Sequence, residues 1–145
     1  NFEQIGACEA ALGPRLAALA DWTRAQQEQF EPLLRARREF GRIRECHGDL
    51  HLGNVALIDD QPVVFDAIEF NPALRWIDTI NDVAFLTMDL QQRDRAGFAA
   101  RFLNTYLQEG GDYEGVALLG FYEVYRALVR AKIAAIRAGQ GDLRR

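Results

Sequence analysis

The sequence predicts a mainly α-helical domain with one small β-hairpin, an α+β class in which helices dominate. Apolar residues recur at three- and four-residue spacing over most of the 145 positions, the pattern of helices that bury one face. The main interruption lies at residues 55–65, where two short runs rich in Val and Ile flank an acidic turn. The length suits one domain, so we expect residues 1–145 to form a single one.

The first 40 residues are predicted to form three helical segments. The first covers residues 2–12, and the second begins at Pro14. Because Pro32 would cost about 3 kcal/mol inside a helix, we expect a break just before it and a third helix over 32–40. Gly41 should end that helix in a left-handed cap. We interpret the arginines at this end as a solvated face rather than a phosphate site: Arg35, Arg37, Arg38, Arg42 and Arg44.

Residues 47–54 read His-Gly-Asp-Leu-His-Leu-Gly-Asn and hold both histidines of the chain. Glycines bracket the polar residues, so a regular helix is unfavourable here. The β-favouring runs 55–58 and 62–65 follow, joined by a three-residue turn, and predict a hairpin. A hairpin carries the chain out and back, so Asp66 is expected to return near Asn54.

Three more helices are predicted over residues 76–90, 95–108 and 113–138. The first of them is apolar nearly all round and should be central to the core. Lys132, the only lysine of the chain, falls inside the apolar stripe of the last helix and should snorkel to the surface or pair with a buried acid. Three other cations of that helix are expected outside the stripe: Arg126, Arg130 and Arg137.

Composition and charge narrow the classes of function. Hydrophobic residues make up 49% of the chain and no apolar run approaches a bilayer span, so a soluble protein without a membrane partner is predicted. The net charge of −4 argues against a nucleic-acid partner and fits a cytoplasmic enzyme, or one whose small substrate is cationic. Cys8 and Cys46 form no disulfide framework and are interpreted as small buried residues in a reducing compartment.

The central stretch has the chemistry needed to transfer a phosphoryl group to a hydroxyl. That reaction needs a carboxylate aligned with the acceptor O–H, and oxygen ligands for a magnesium ion that bridges the nucleotide phosphates. Asp49 suits the first role, while Asn54 and Asp66 suit the second. Two acids held this close repel each other, and a divalent cation relieves that repulsion.

The motif H-G-D-L-H-x-x-N at residues 47–54, with a following hairpin, Asp66 and Glu69, resembles the aminoglycoside phosphotransferase and choline kinase superfamily, whose fold is protein-kinase-like. The resemblance covers about residues 40–135. Four segments resemble, more narrowly, an uncharacterised bacterial branch, some members of which are fused to a P-loop ATPase domain: residues 45–54, 65–71, 75–78 and 125–132.

The resemblance implies a role for the residues of the motif. Asp49 would be the catalytic base, and His47 would buttress the loop. Asn54 and Asp66 would bind magnesium and, through it, the nucleotide. The implied cofactors are Mg²⁺ and ATP or another nucleoside triphosphate, and the implied acceptor is a small-molecule hydroxyl whose identity the sequence leaves open.

Other acids have implied roles with open alternatives. Asp82 would steady the loop from the following helix, with Asp78 as a competing candidate, and both could equally be buried partners of Arg75 or Lys132. Glu69 would reach the substrate or a second metal, with a plain surface position as the alternative.

The first 46 residues lack the features of a kinase N-terminal lobe, namely a phosphate-covering loop and a lysine that contacts the nucleotide phosphates. We therefore expect the chain to be a C-terminal lobe, helical over 1–40, with loop and hairpin over 42–70 and helical over 75–139. It would carry half of the ATP site and be inactive alone. The N-terminal lobe, and a P-loop domain, would be covalently fused in the full-length protein.

Two other functions stay open at this point. A metal-dependent hydrolase could use His47, Asp49 and His51, because alternate residues share one face of a strand, although Gly48 and Gly53 are poor strand residues. A non-catalytic binding or regulatory module could also retain a kinase-like shape. The intact acids and amide of the motif argue against that loss of activity.

Overall fold

A computed structural model of the chain describes residues 13–142. In chain order it contains α1 (Gly13–Glu39), β1 (Ile43–Glu45), β2 (Val55–Ile58), β3 (Gln61–Val64), β4 (Trp76–Asp78), α2 (Thr79–Gln92), α3 (Ala96–Gly110) and α4 (Val116–Asp142). Single 3₁₀ turns cover Leu52–Asn54, Pro72–Leu74 and Tyr113–Gly115. The predicted class, mainly α with a small β-hairpin, is confirmed. The helix predicted over residues 2–12, and Cys8 within it, lie outside the described residues.

Helix α2 forms the centre of the molecule and packs against both α3 and α4. Nine of its fourteen residues are buried, as the apolar pattern predicted. Ile80 and Val83 meet Leu118 of α4 in the middle of the core. The predicted start of this helix at Trp76 is wrong, because residues 76–78 are extended and form β4, and the helix begins only after Asp78.

Residues 13–142 contain two antiparallel strand pairs. In the predicted hairpin, β2 pairs with β3, and the two residues between them, Asp59 and Asp60, have φ of +50° and +60°. That conformation is typical of a type I′ turn, which matches the twist of the strands. The other pair, β1 with β4, was not predicted. It sets the loop that follows β1 beside the start of α2, since Cys46 N–H donates to the carbonyl of Arg75 at 2.7 Å.

Helix α1 continues through Pro32, so the predicted break before that residue is wrong. Proline removes one helical hydrogen bond and costs about 3 kcal/mol. The helix persists because an apolar side flanking the proline packs against the core: Phe30, Leu33 and Leu34. Gly41, with φ of +69°, has the left-handed conformation that was predicted for the end of this helix.

Arg37 of α1 is 2% exposed, so its interpretation as part of a solvated face is wrong. Its guanidinium donates to both carboxylate oxygens of Asp78 at 2.7 Å and to those of Asp112 at 2.6 and 2.8 Å. Burial alone would lower the pKa of this guanidinium, but the hydrogen bonds to Asp112 and Asp78 outweigh it and raise the pKa. One cation therefore joins α1, the start of α2 and the segment between α3 and α4.

The last two helices lie close to their predicted positions. Helix α3 extends to Gly110, two residues beyond the prediction. The predicted helix from Tyr113 begins as a 3₁₀ turn and becomes α-helical at Val116, from which it continues to Asp142. Across the part of the chain that the structure describes, no helix combines the length and apolar character needed to cross a bilayer.

Candidate functional site

The loop between β1 and β2 is fixed to α2 through its backbone. Asp82 is buried and accepts hydrogen bonds from the N–H of His47 at 2.7 Å and of Gly48 at 3.1 Å. Asp78 makes no such contact and instead accepts the N–H of Ile80 at 3.1 Å, capping α2 while it pairs with Arg37. Of the two acids considered from the sequence, Asp82 is the one that holds the loop.

Arg126 of α4 is a second residue that holds this loop. Its guanidinium donates to the carbonyl of Gly48 at 2.9 Å and to Asn81 Oδ1 at 2.6 Å, and lies 3.8 Å from Asp82. The side chain is 6% exposed, so its prediction outside the apolar stripe is wrong. Burial lowers the pKa of Arg126, while the Asp82 and Asp49 carboxylates act in the opposite direction. A signal was present, since at 100° per residue Arg126 lies about 20° from Ile133 of the stripe.

Gly48 has φ of +84°, a backbone conformation that L side chains rarely adopt. A Cβ atom built on it would lie 2.8 Å from the carbonyl oxygen of Leu74 and 3.2 Å from a methyl of Ile68. A side chain therefore has no room at this position. Because Gly48 immediately precedes Asp49, its backbone conformation helps to orient the Asp49 residue.

The two carboxylate oxygens of Asp49 differ in their contacts. Asn54 Nδ2 donates to Asp49 Oδ2 at 3.1 Å and to the Asp49 carbonyl at 2.9 Å, and His51 Nε2 lies 3.3 Å from Oδ2. Within residues 13–142, no hydrogen bond reaches Oδ1. The side chain is 35% exposed, so this oxygen remains accessible to a ligand.

Both histidines are occupied by hydrogen bonds. His47 Nδ1 accepts the N–H of Asp49 at 3.3 Å, so its Nε2 carries the proton and donates to the Phe65 carbonyl at 2.8 Å. His51 Nδ1 accepts the N–H of Gly53 at 3.0 Å, which leaves its Nε2–H for Asp49. Neither ring has a lone pair free for a metal. The residues described, 13–142, also contain no group of three or more His, Cys, Asp or Glu side chains arranged to hold an ion.

The hairpin returns the chain to Asn54, because the N–H of Phe65 donates to the Asn54 carbonyl at 3.0 Å. The next residue, Asp66, is exposed and has φ of +62°. Asn54 is buried, and its Oδ1 receives no hydrogen bond from any described residue. Two oxygen ligands of the type that Mg²⁺ prefers thus flank one end of the hairpin. Glu69 is exposed and does not line the cleft described below.

Asp89, near the end of α2, is a loop contact that the sequence did not reveal. It is 1% exposed and accepts the N–H of Leu52 at 3.0 Å. Arg130 lies 3.4 Å and Arg93 3.5 Å from the same carboxylate. Asp82 and Asp89 are seven residues apart, or two helical turns, so one face of α2 supports both ends of the loop.

A cleft of about 700 Å³ lies between α2 and α4. Asp49 and His51 of the loop line it, and Arg130 and Arg137 line its α4 side. Its volume is within the range of small-molecule sites, about 300–1,000 Å³. Asp49 lines the cleft, so a bound small molecule could meet its carboxylate.

Two further residues have no part in this cleft. Burial and the nearby Asp82 charge raise the pKa of the Cys46 thiol to about 11, so it is an unreactive thiol near neutral pH. Lys132 is half-buried and forms no ion pair with the side chains that the structure describes. The alternative in which it pairs with Asp78 or Asp82 is therefore wrong, since Arg37 and Arg126 take those positions.

Comparison with known proteins places these features in a family. Residues 3–119 match the model of the phosphotransferase enzyme family, a span that includes the loop, the hairpin and α2. Uncharacterized proteins of Mycobacterium bovis and of two strains of Mycobacterium tuberculosis are each 40% identical over 111 residues, or 77% of this chain and 22% of each relative. No solved structure shows significant similarity. The chain, with its kinase-like loop and hairpin on a helical body, belongs to the phosphotransferase enzyme family.

Proposed function

We propose that this chain carries the catalytic loop of an ATP- and Mg²⁺-dependent phosphotransferase that acts on a hydroxyl group of a small molecule. The main support is the position of Asp49. One of its oxygens contacts Asn54 and His51, no hydrogen bond from a described residue reaches the other, and Asp49 lines a cleft of about 700 Å³. A carboxylate in that position can accept the proton of a hydroxyl that enters the cleft.

In the proposed reaction, Asp49 Oδ1 accepts the acceptor's O–H proton while the hydroxyl oxygen bonds to the γ-phosphorus of ATP. The bond from that phosphorus to the β–γ bridging oxygen breaks, so ADP and the phosphorylated acceptor leave. Asn54 and His51 hold the Asp49 carboxylate in one orientation throughout. Such positioning matters because a general base contributes about 10²–10⁴-fold only when its geometry is correct.

The residues present fit a magnesium ion at the end of the hairpin. Asn54 Oδ1 and the exposed Asp66 carboxylate are free oxygen ligands on adjoining segments of the chain. When bound, the ion would neutralise charge on the nucleotide phosphates. The ion would also neutralise Asp66, while Asp49, the acid among the described residues that line the cleft, would stay available to the acceptor.

The chain spans 22% of the length of the curated relatives it matches. The part of the site that covers the nucleotide is proposed to lie elsewhere in the full-length protein, in an N-terminal lobe accompanied by a P-loop domain. The chain by itself would then be inactive. The cytoplasm is the proposed location, because ATP is supplied there.

The test is Asp49→Asn in the full-length protein that carries this sequence. Turnover with MgATP and an accepted alcohol should fall by about 10²–10⁴-fold, because the amide cannot accept the proton. Nucleotide affinity, measured by calorimetric titration of MgATP, should fall much less than turnover, because Asp49 is not one of the proposed ligands of the metal. Asp60→Asn, the same change at the exposed tip of the hairpin, is the matched control and should keep full turnover.

Retained turnover in the Asp49 variant would refute its assignment as the base. Turnover absent from the unaltered protein with every alcohol tried, together with MgATP binding, would instead favour a non-catalytic kinase-like module.

A further inference from the structure

The charges around the cleft differ in sign from those of the whole chain. The chain has a net charge of −4, yet the described residues that line the cleft include two arginines, Arg130 and Arg137, and one acid, Asp49. If Asp49 is the base of the proposed reaction, no carboxylate of this lining remains to bind a cationic acceptor. The expectation from net charge, that a small substrate is cationic, does not fit this local arrangement.

Arg130 keeps binding capacity although an acid is near it. Asp89 lies 3.4 Å from Arg130, but the same carboxylate also accepts the N–H of Leu52 and lies 3.5 Å from Arg93. Asp89 is thus shared by two guanidinium groups, and a guanidinium has five N–H donors. The Arg130 side chain is 35% exposed, so the remaining donors can reach a ligand in the cleft.

Arg137 is seven residues beyond Arg130 on α4, which places it two turns further along the same face, about 10 Å away. It is exposed and forms no ion pair with the described side chains. Alanines occupy the positions of α4 beside the two arginines and leave space for a ligand: Ala127, Ala131 and Ala134. The arginines therefore have both the room and the free donors for an anionic group.

From this arrangement we propose that the acceptor is an alcohol that carries a carboxylate or phosphate group. Its hydroxyl lies at Asp49, and its anionic group is bound by Arg130 and Arg137. Guanidinium groups suit this task because their paired N–H donors match the oxygens of carboxylate and phosphate. Apolar contacts from Phe85, Met88 and Ile133 along the cleft pack against the carbon skeleton of the acceptor. This inference rests on the proposed function, from which the role of Asp49 is taken.

The binding test uses glycerol 3-phosphate and glycerol as probes with the full-length protein. They share hydroxyl groups and differ in the anionic group. Titration calorimetry should detect glycerol 3-phosphate and not glycerol. Arg130→Gln and Arg137→Gln should each weaken glycerol 3-phosphate binding by about tenfold, the effect of losing one charge-assisted contact. Arg130→Lys should retain more affinity than Arg130→Gln, and higher salt should weaken binding.

Arg101→Gln is the matched control, because Arg101 is an exposed cation on α3 outside the cleft, and it should leave binding unchanged. Arg137→Gln also guards against loss of fold, since it breaks no ion pair with a described side chain. Equal binding of glycerol and glycerol 3-phosphate, or equal effects of the control and the two cleft variants, would overturn the proposal.

A turnover test separates this inference from the proposed function. Acceptors in charge-matched sets, such as glucose, glucosamine and glucuronate, are screened for MgATP-dependent ADP release. Turnover restricted to the anionic members supports the inference, and turnover of neutral or cationic members that is insensitive to Arg130 and Arg137 contradicts it while leaving phosphotransfer intact. Arginine-dependent binding of glycerol 3-phosphate without turnover of any acceptor would preserve the anion site and reject phosphotransfer.

Discussion

Asp66 combines an exposed carboxylate with a left-handed backbone, φ +62°. Asn and Asp adopt this conformation more readily than other L residues, so Asp66→Asn removes the charge with little backbone penalty. We expect the variant to lose about tenfold or more in Mg²⁺-dependent ATP affinity, because one anionic ligand of the proposed ion is gone, while the urea midpoint of the full-length protein is unchanged. Asp59→Asn, at another left-handed position, is the control. Equal affinities of the two variants would contradict a metal role for Asp66.

Gly48 gives a second prediction at the scale of one residue. Gly48→Ala should destabilise the protein by about 2–4 kcal/mol, because the new Cβ meets the Leu74 carbonyl at 2.8 Å and the φ of +84° is strained for alanine. The free energy of unfolding in urea measures this. Gly97→Ala, inside α3 with no atom within 4 Å of the new Cβ, should instead stabilise by about 0.5–1 kcal/mol. A Gly48→Ala variant as stable as the unaltered protein would show that steric conflict at Gly48 is absent.

Single residues also show the limits of the sequence. Asp49, Asn54 and Asp66 could be selected as candidates from the sequence alone, because they lie within one short segment and their spacing matches a known motif. The burial of Arg37 could not be predicted, because its partners are 41 and 75 positions away along the chain and only the tertiary fold brings them near. An arginine is exposed on most helices, so its own position carries little information about burial.

At the scale of elements, α2 and α4 fix the loop between them. Asp82 of α2 accepts the Gly48 N–H, and Arg126 of α4 donates to the Gly48 carbonyl. Arg126→Met should lower the free energy of unfolding by about 3–5 kcal/mol, because Asp82 and Asn81 lose a buried cationic partner. Arg101→Met, on the exposed face of α3, should change it by less than about 0.5 kcal/mol.

A double-variant cycle checks that the loss arises from the predicted contact. With Asp82→Asn already in place, the further effect of Arg126→Met should be smaller than in the unaltered protein, because the two residues share the loop. Additive losses would indicate that Arg126 stabilises the fold independently of Asp82, through its hydrogen bonds to Gly48 and Asn81 and its position over the Phe85 ring at 4.8 Å.

Elements were predicted with uneven success, for physical reasons. Helix α2 was predicted correctly as a central helix because it has more apolar residues than a helix on the surface would have. The hairpin was predicted because two runs of β-branched residues flank an acidic turn. The pair of β1 and β4 was missed because each strand has only three residues and its partner is more than thirty positions away. Helix α1 was wrongly divided at Pro32 because the sequence shows the energetic cost of a proline inside a helix. It does not show the core contacts that compensate for this cost.

At the scale of the whole molecule, stability should depend on pH through Asp112. Burial would raise the pKa of this carboxyl, but hydrogen bonds from Arg37 and Tyr106 lower it below its usual value. A lowered pKa stabilises the fold above the unfolded value, near 3.8, and that contribution disappears as pH falls through the lower folded pKa. Asp112→Asn should therefore be less stable at pH 7 and lose less stability on acidification.

Urea unfolding of the full-length protein at several pH values between 7 and 2 measures this difference, because the contribution of Asp112 is lost below the unfolded pKa, near 3.8. Glu114→Gln, an exposed change two residues away, serves as the control and should follow the unaltered protein. An Asp112 variant whose stability declines with pH as steeply as that of the unaltered protein would show that this carboxyl does not contribute to acid unfolding.

Along helix α4, a residue that holds the loop is followed by residues that line the cleft. Arg126 holds the loop from which Asp49, the proposed base, extends, while Arg130 and Arg137, one and three turns further on, line the cleft. Arg130 also approaches Asp89, which accepts the Leu52 N–H of the loop, whereas Arg137 forms no ion pair with a described side chain. Substitutions around Arg137 can therefore alter which molecules enter without disturbing a contact of the loop. In evolutionary terms, substrate choice could diversify along the outer turns of one helix while the chemical step is inherited unchanged.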